Sequence, residues 1–408
     1  MRFLAFLFIL LFLFSCQNKK PKPVTMKDDV AYLASDSLQG RRTGTPYELM
    51  AADYIAQRFE DLGMTTKGTE GYFQEFSFLD KSDPHGDVEF VNKKEDSAIT
   101  GTNVIGFLDN KAENTIIIGA HYDHLGMGGE GSLHREKDAA IHNGADDNAS
   151  GIAVMIHLIQ KLKEANTQNN YLFIAFSGEE LGLLGSNYFV KNPTINLEQV
   201  NYMMNMDMVG RLNEEKTLAV HGVGTSPVFQ QTTFANKGEL TISEHESGIG
   251  PSDHTSFYLM HLPVLHFFTG QHEDYHKPGD DTEKLNYEGM NLISTYIFDI
   301  ISDLDDNGKL EFKKTKNESE DVPRFKVTLG VVPDYLYNGE GMRIDGVSED
   351  RPAQKAGMQK GDIVKQMDSF EIITMMSYMK ALSEIEEGST SKVTIERDGE
   401  LIEMDVNW

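Results

Sequence analysis

The chain has 408 residues, a formal charge of −27 at pH 7 and a single cysteine. That length leaves room for two domains, or for one large domain with an appendage. The charge argues against binding nucleic acid by phosphate neutralisation, and one cysteine excludes an internal disulfide.

Residues 1–16 read as a targeting segment. Arg2 is the charged start, and the apolar run 3–14 is shorter than the roughly 20 residues that span a bilayer. Cys16 follows in Leu13-Phe14-Ser15-Cys16, which resembles a bacterial lipoprotein signal, where the cysteine becomes the lipidated first residue. The expectation is export and a lipid anchor in the cell envelope. Gln17, rather than Asp, favours the outer membrane by resemblance to bacterial sorting rules. The competing reading is an ordinary signal peptide with an incidental cysteine. Residues 18–23 form a polar spacer.

Next comes a stretch of helical character over 28–62, with Ala51, Ala52, Ile55, Phe59 and Leu62 at 3–4 spacing and Gly63 as its stop. Runs 73–78 and 103–108 read as strands, and the polar segment 81–100 between them as a surface loop. The apolar runs 115–119, 171–176, 201–206 and 263–268 read as buried strands, 148–165 and 288–304 as helices. This strand–loop–helix–strand order predicts an α/β fold with a sheet at least partly parallel. Residues 305–321 are charged or polar without apolar periodicity and read as linker. Beyond them, β-like runs 325–331, 342–347 and 391–397 and a short helix near 377–382 predict a second, small, mainly-β domain. The expected division is 1–16 signal, 17–304 main domain, 305–323 linker and 324–408 second domain.

Chemistry-bearing residues gather where these strands end. His121-Tyr122-Asp123-His124 follows the first, Ser177-Gly178-Glu179-Glu180 the second and Asp207 the third, while His276 lies one loop beyond the fourth. In open α/β sheets ligands bind outside the carboxyl ends of the strands. Histidine nitrogen with carboxylate oxygen suits zinc best, with cobalt or manganese as substitutes. Asp123, two residues from His121, is placed to orient it. Asp146, in the loop before a helix, suits a carboxylate bridging two ions, the plain alternative being a helix cap. Of Glu179 and Glu180, a metal accounts for one and general-base duty for the other. A solvated helix start is the plainer alternative.

The ordered motifs Gly119-Ala120-His121-Tyr122-Asp123-His124, Gly144-Ala145-Asp146-Asp147-Asn148-Ala149-Ser150-Gly151, Ser177-Gly178-Glu179-Glu180-Leu181-Gly182, Asn205-Met206-Asp207-Met208-Val209-Gly210, Pro251-Ser252-Asp253-His254 and Tyr275-His276-Lys277-Pro278-Gly279-Asp280 resemble those of the di-zinc aminopeptidase family, which includes bacterial leucyl aminopeptidase and aminopeptidase Y. Residues 33–63, with Gly40-Arg41, also resemble that family's opening helix. The resemblance covers 28–304 and implies a mixed eight-stranded sheet of zinc-exopeptidase type, largely parallel and flanked by helices. It implies two zinc ions: one on His121 and Asp207, the other on Glu180 and His276, with Asp146 bridging. Glu179 would be the base, Asp123 would orient His121, and the substrates would be peptides with free N-termini. Leu329-Gly330-Val331-Val332 and the segment 352–364 resemble a PDZ domain of bacterial protease type. Such domains add a peptide strand and hold its C-terminal carboxylate, here with the loop 329–332 as the candidate; the plainer alternative is a PDZ fold kept for interdomain packing without ligand.

Two other readings compete. One is a glutaminyl-cyclase-like transferase on the same fold, which needs one zinc and not His121 with Asp123. The other is a non-catalytic peptide-binding lipoprotein with a structural metal, against which the lack of cysteine ligands counts. Four partial motifs do not hold. His272-Glu273-Asp274-Tyr275-His276 fits HExxH, but Gly270 and Pro278-Gly279 leave no helix to carry it. Gly126-Met127-Gly128-Gly129-Glu130-Gly131 fits a nucleotide loop without the strand–helix context. The run from Asp303 resembles a calcium loop but has Lys314 where a bidentate Glu belongs. Ser252-Asp253-His254 are sequence neighbours, which cannot form a serine triad.

Overall fold

The computed structural model describes residues 24–79, 89–91, 97–129, 131–134, 138–165, 167–316, 327–334, 337, 339–347 and 351–408. The predicted signal segment with Cys16, much of the predicted loop 81–100 and part of the predicted linker lie outside them.

Among the described residues nine strands form the main sheet: β1 (Thr65–Thr66), β2 (Phe73–Leu79), β3 (Ala98–Leu108), β4 (Thr115–His121), β5 (Asn170–Phe176), β6 (Val200–Met206), β7 (Thr217–His221), β8 (Thr241–His245) and β9 (Val264–Phe268). Their order is β1-β3-β5-β4-β6-β9-β7-β8, with β2 also paired to β3. The β5-β4-β6-β9 centre is parallel, and the flanking β3–β5 and β9–β7 pairs are antiparallel. The sheet is therefore mixed with a parallel core, as the sequence predicts. It has nine strands where the resemblance implied eight; β1, only two residues long, is one of them.

The central strands are apolar on both faces because both faces are covered. Along β4 and β5, Ile116, Ile118, Tyr171 and Phe173 pack on one side, and Ile117, Leu172, Ile174 and Phe176 on the other. This is the two-residue alternation of a strand. On the first side lie α1 (Met26–Leu33), α2 (Pro46–Asp61), α3 (Gly151–Glu164), α5 (Phe229–Asn236) and α7 (Tyr287–Leu304); on the second lie α4 (Leu184–Lys191) and α6 (His254–Tyr258). The predicted helical stretch 28–62 is in fact two helices. Thr45 caps α2 and Pro46 begins it, while Gln39, Gly40, Arg41 and Gly44 between the helices have positive φ. The break brings Arg41 inside. Strands β7 and β8 were not expected. Only their middle residues are well buried, so they lack the long apolar runs that mark the central strands.

After α7, residues 309–316 lie against this domain instead of hanging free. The amide of Leu310 donates to Asn201 (2.7 Å), that of Lys313 to the Thr225 carbonyl (2.8 Å) and that of Thr315 to the Tyr258 hydroxyl (2.9 Å). The second domain is an antiparallel sheet in the order β10 (Val331–Pro333), β11 (Met342–Val347), β12 (Ile363–Met367), β14 (Thr390–Arg397) and β15 (Glu400–Asn407), with β13 (Phe370–Glu371) on β12. Helices α8 (Pro352–Ala356) and α9 (Met375–Glu384) cover its core of Leu329, Met342, Val364, Leu382 and Val393.

Candidate metal centre and its relatives

The ends of β4, β5, β6 and β9 carry the site. His121 is the last residue of β4, and Glu179 and Asp207 sit in the turns that leave β5 and β6. His121 Nε2 lies 3.3 Å from an Asp147 oxygen and 3.3 Å from an Asp207 oxygen. His276 Nε2 lies 3.3 Å from the other Asp147 oxygen and 3.2 Å from Glu180. Two donor groups result, His121–Asp147–Asp207 and His124–Asp147–Glu180, with Asp147 common to both. His276 adjoins the second group through Asp147 and Glu180.

This corrects one expectation. Asp146 does not lie between the histidines; Asp147 does. The Asp146 carboxylate accepts the Gly210 amide at 2.6 Å and stands 3.2 Å from His272 Nε2. Gly210 is required there, since an added Cβ would come within 2.7 Å of that carboxylate. The irregular turn at 145–150, which contains the cis peptide Asp147–Asn148, decides which of the two aspartates faces the cleft. Asp280 fixes that turn by accepting the amides of Asp146 (2.9 Å) and Asp147 (3.0 Å). Asn148 fixes it from the other side, donating to the Met206 carbonyl and accepting the Gly151 and Met208 amides. The helix predicted from 148 therefore begins only at Gly151.

Asp123 also acts differently from the expectation. His121 Nδ1 is 3.2 Å from the Asp123 main-chain carbonyl and 3.8 Å from its carboxylate. The carboxylate instead accepts the Glu179 amide (3.1 Å) and the Thr43 hydroxyl (2.9 Å), so Asp123 steadies both His121 and the Glu179 turn. Ser252 donates to Asp207 at 2.8 Å and receives a bond from Asn205, also at 2.8 Å. His276, with φ of 54°, sets its ring by Nδ1–H donation to the Gly131 carbonyl at 2.8 Å.

The electrostatics separate the two adjacent glutamates. Burial and Asp147 oppose ionisation of Glu180, yet His276 and His124 hold its carboxyl down at about 2. Glu179 is raised well above the usual carboxylate range, by burial first and then by Asp207, Glu180 and Asp253. One glutamate is thus held as an anion among imidazoles, while burial and neighbouring carboxylates raise the proton affinity of the other. Burial opposes protonation of His276, but Glu180 and Asp147 raise it to about 11. So many carboxylates and imidazoles in contact are a donor set for cations. His124 Nε2, buried without a hydrogen-bond partner among the described residues, belongs to the same set.

Sequence reasoning missed Asp147 and His124 as donors, although both stand inside the motifs singled out. His272, set aside with its HExxH pattern, pairs with Asp146; residues 272–277 form turns without helix. The carboxylate of Asp305, from the calcium-like run, is occupied by the Gln168 amide and the Asn169 side chain.

The layered fold, with donors at the carboxyl ends of a parallel core, is that of the zinc-dependent exopeptidases. Residues 103–301 match the model of peptidase family M28, and residues 311–408 that of the PDZ domain. The chain therefore carries a peptidase family M28 domain followed by a C-terminal PDZ domain. It is 28% identical over 222 residues to the alkaline phosphatase isozyme conversion protein of Escherichia coli, covering 54% of this chain and 61% of that one. With aminopeptidase YwaD of Bacillus subtilis it shares 27% over 222 residues, 50% of this chain and 45% of the relative. The chain thus spans about half the length of the curated relatives it matches. A zinc aminopeptidase structure from Bacillus subtilis superposes with a TM-score of 0.54 at 18% identity, over 72% of this chain and 97% of that one.

Proposed function

We propose that the protein is an aminopeptidase that uses two zinc ions to release N-terminal residues from peptides. The observation that carries this reading is the pair of donor groups sharing Asp147, with Glu179 beside them. One ion would be held by His121, Asp147 and Asp207, the other by Asp147, Glu180 and His276, with His124 against Glu180. When bound, the ions supply Lewis acidity toward the scissile carbonyl and the attacking water. The remaining work falls to the chain. Glu179 takes the proton of that water and delivers it to the leaving amine. Asp123 steadies the Glu179 turn and, through its carbonyl, the His121 ring. Asp207 and Glu180 add negative charge that suits the cationic amino end of a substrate. The first donor group, which a one-zinc cyclase would not need, favours hydrolysis over the transferase reading.

The test is an assay of one peptide set with free and acetylated N-termini, on protein lacking residues 1–16, before and after chelation and zinc readdition. Zinc-dependent release of the first residue from free N-termini only is the expected result. Equal cleavage of blocked peptides, or of none, would overturn it. We also propose that Cys16 carries a lipid that holds the enzyme in the cell envelope. Cys16→Ala would then release it from membranes, and unchanged membrane retention would sink the anchor.

A further inference from the structure

One cavity of about 690 Å³ joins the two domains. Its floor includes Asp147, Glu180, Asp207 and His276; its far wall includes Asp334, Tyr337, Met375 and Met379 of the PDZ domain. His221, His245, His266 and Phe268 also line it.

The far wall is formed by the end of β10 and by helix α9 of the PDZ domain. Strand β10 pairs only with β11 among the described residues, so its other edge is open to an added strand. Helix α9 faces the cavity with Met375 and Met379, four residues apart on one face. The loop that enters β10 holds Gly330 at φ 77°, and the stem of Arg351 lies directly over that glycine. A backbone turn with an arginine side chain packed against it suits a carboxylate.

Direction follows from the pairing. A peptide antiparallel to β10, with its carboxylate at Leu329–Val331, runs past Pro333 toward Asp334. Asp334 already lines the shared cavity, so the peptide's upstream residues enter it and head for the metal donors.

We propose that the PDZ groove and the metal centre hold the two ends of the same substrate: a short peptide with a free amino end at the metals and a free C-terminal carboxylate beside Gly330 and Arg351. The proposal rests on the aminopeptidase reading and adds a substrate class, free-acid oligopeptides, with the PDZ domain as a length gauge.

The experiment uses the full zinc-loaded chain and peptides from tripeptide to dodecamer, each as free acid and as C-terminal amide. Leucyl p-nitroanilide, which has no C-terminal carboxylate, is the control for the aminopeptidase reading. Beyond a threshold length, amidation should raise KM roughly tenfold with kcat little changed. N-acetylated free-acid peptides of that length should inhibit competitively, and their amides weakly. Arg351→Gln and, separately, Ile373→Lys at the exposed groove rim should erase the acid–amide difference while nitroanilide turnover persists. Equal KM for acid and amide at every length overturns the proposal. So does a blocked free-acid peptide that binds without inhibiting, which would mark the groove as a docking site for a separate protein. Loss of nitroanilide turnover in the unmodified chain would instead sink the aminopeptidase reading, and this inference with it.

Discussion

Asp147 and Asp146 are neighbours in sequence and turn their carboxylates to opposite sides of one loop. Asp147 reaches His121 and His276 at 3.3 Å each, while Asp146 takes the Gly210 amide and meets His272. Substitution should separate them. Asp147→Asn removes the donor common to both groups, so zinc content should fall at both sites and kcat/KM by more than roughly a hundredfold. Asp146→Asn keeps an acceptor for Gly210 and should cost about tenfold or less with most zinc retained. Metal analysis of the two purified variants decides the matter; greater zinc loss from Asp146→Asn would return the bridge to that residue.

Glu179 and Glu180 make a second adjacent pair with opposite tendencies. Glu180 is held ionised by His276 and His124, and the proton affinity of Glu179 is raised by burial and neighbouring carboxylates. Glu179→Gln preserves shape and should leave zinc content intact while lowering kcat by roughly 10²–10⁴. If zinc is lost in proportion to activity, Glu179 is a ligand and the proton-transfer role is refuted.

Much of this was legible in the chain. The four central strands were readable because parallel strands covered on both faces are continuous apolar runs. Their carboxyl ends then located His121, Glu179, Glu180, Asp207 and His276 without any contact information. What could not be read was the choice between Asp146 and Asp147. A strand or helix fixes side-chain direction by its period, but 145–150 is neither, and Asp280, the Met206 carbonyl and Gly210 set its course from distant parts of the sequence. The same limit hid the Asp123 carbonyl's contact with His121. Within the expected linker 305–323, the amides of Leu310 and Thr315 find partners on the domain surface, a pairing that hydropathy does not report.

Arg41 ties the opening of the domain to the same loop. Its guanidinium, buried at 1% exposure, donates to the carbonyls of Leu33, Tyr122, Asn143 and Gly144. Burial lowers its pKa to about 10, which leaves it charged at neutral pH. Arg41→Met would strand four carbonyls and should cost about 3 kcal/mol or more in stability. Arg41→Lys offers fewer donors without the planar fork and should recover only part of that. Because two of the carbonyls immediately precede the turn bearing Asp147, zinc affinity should weaken as well. Denaturant unfolding of the chelated and loaded protein measures both effects. Unchanged zinc affinity in a destabilised Arg41→Met protein would confine Arg41 to the core.

His254 makes the fold sensitive to acid. Its ring stacks on His266 at 4.4 Å, and neither nitrogen has a hydrogen-bond partner among the described residues. Burial first, and His221 second, lower its pKa to about 3. A histidine depressed in the folded state binds fewer protons there than in the unfolded chain. The stability it contributes is therefore present above the unfolded value near 6.5 and is lost as pH falls toward 3. Between pH 7 and pH 5 that loss is about 2 kcal/mol. His221, His245 and His266 are shifted in the same direction, whereas Asp253, raised to about 7 by burial, acts oppositely. Comparing His254→Phe with the parent cancels those shared contributions. The phenyl ring keeps the stack and carries no proton, so the variant should lose about 2 kcal/mol less than the parent between the two pH values. Thermal unfolding of the metal-free proteins at pH 7 and pH 5 provides the comparison, and parallel losses in both would show that His254 is not the group that titrates.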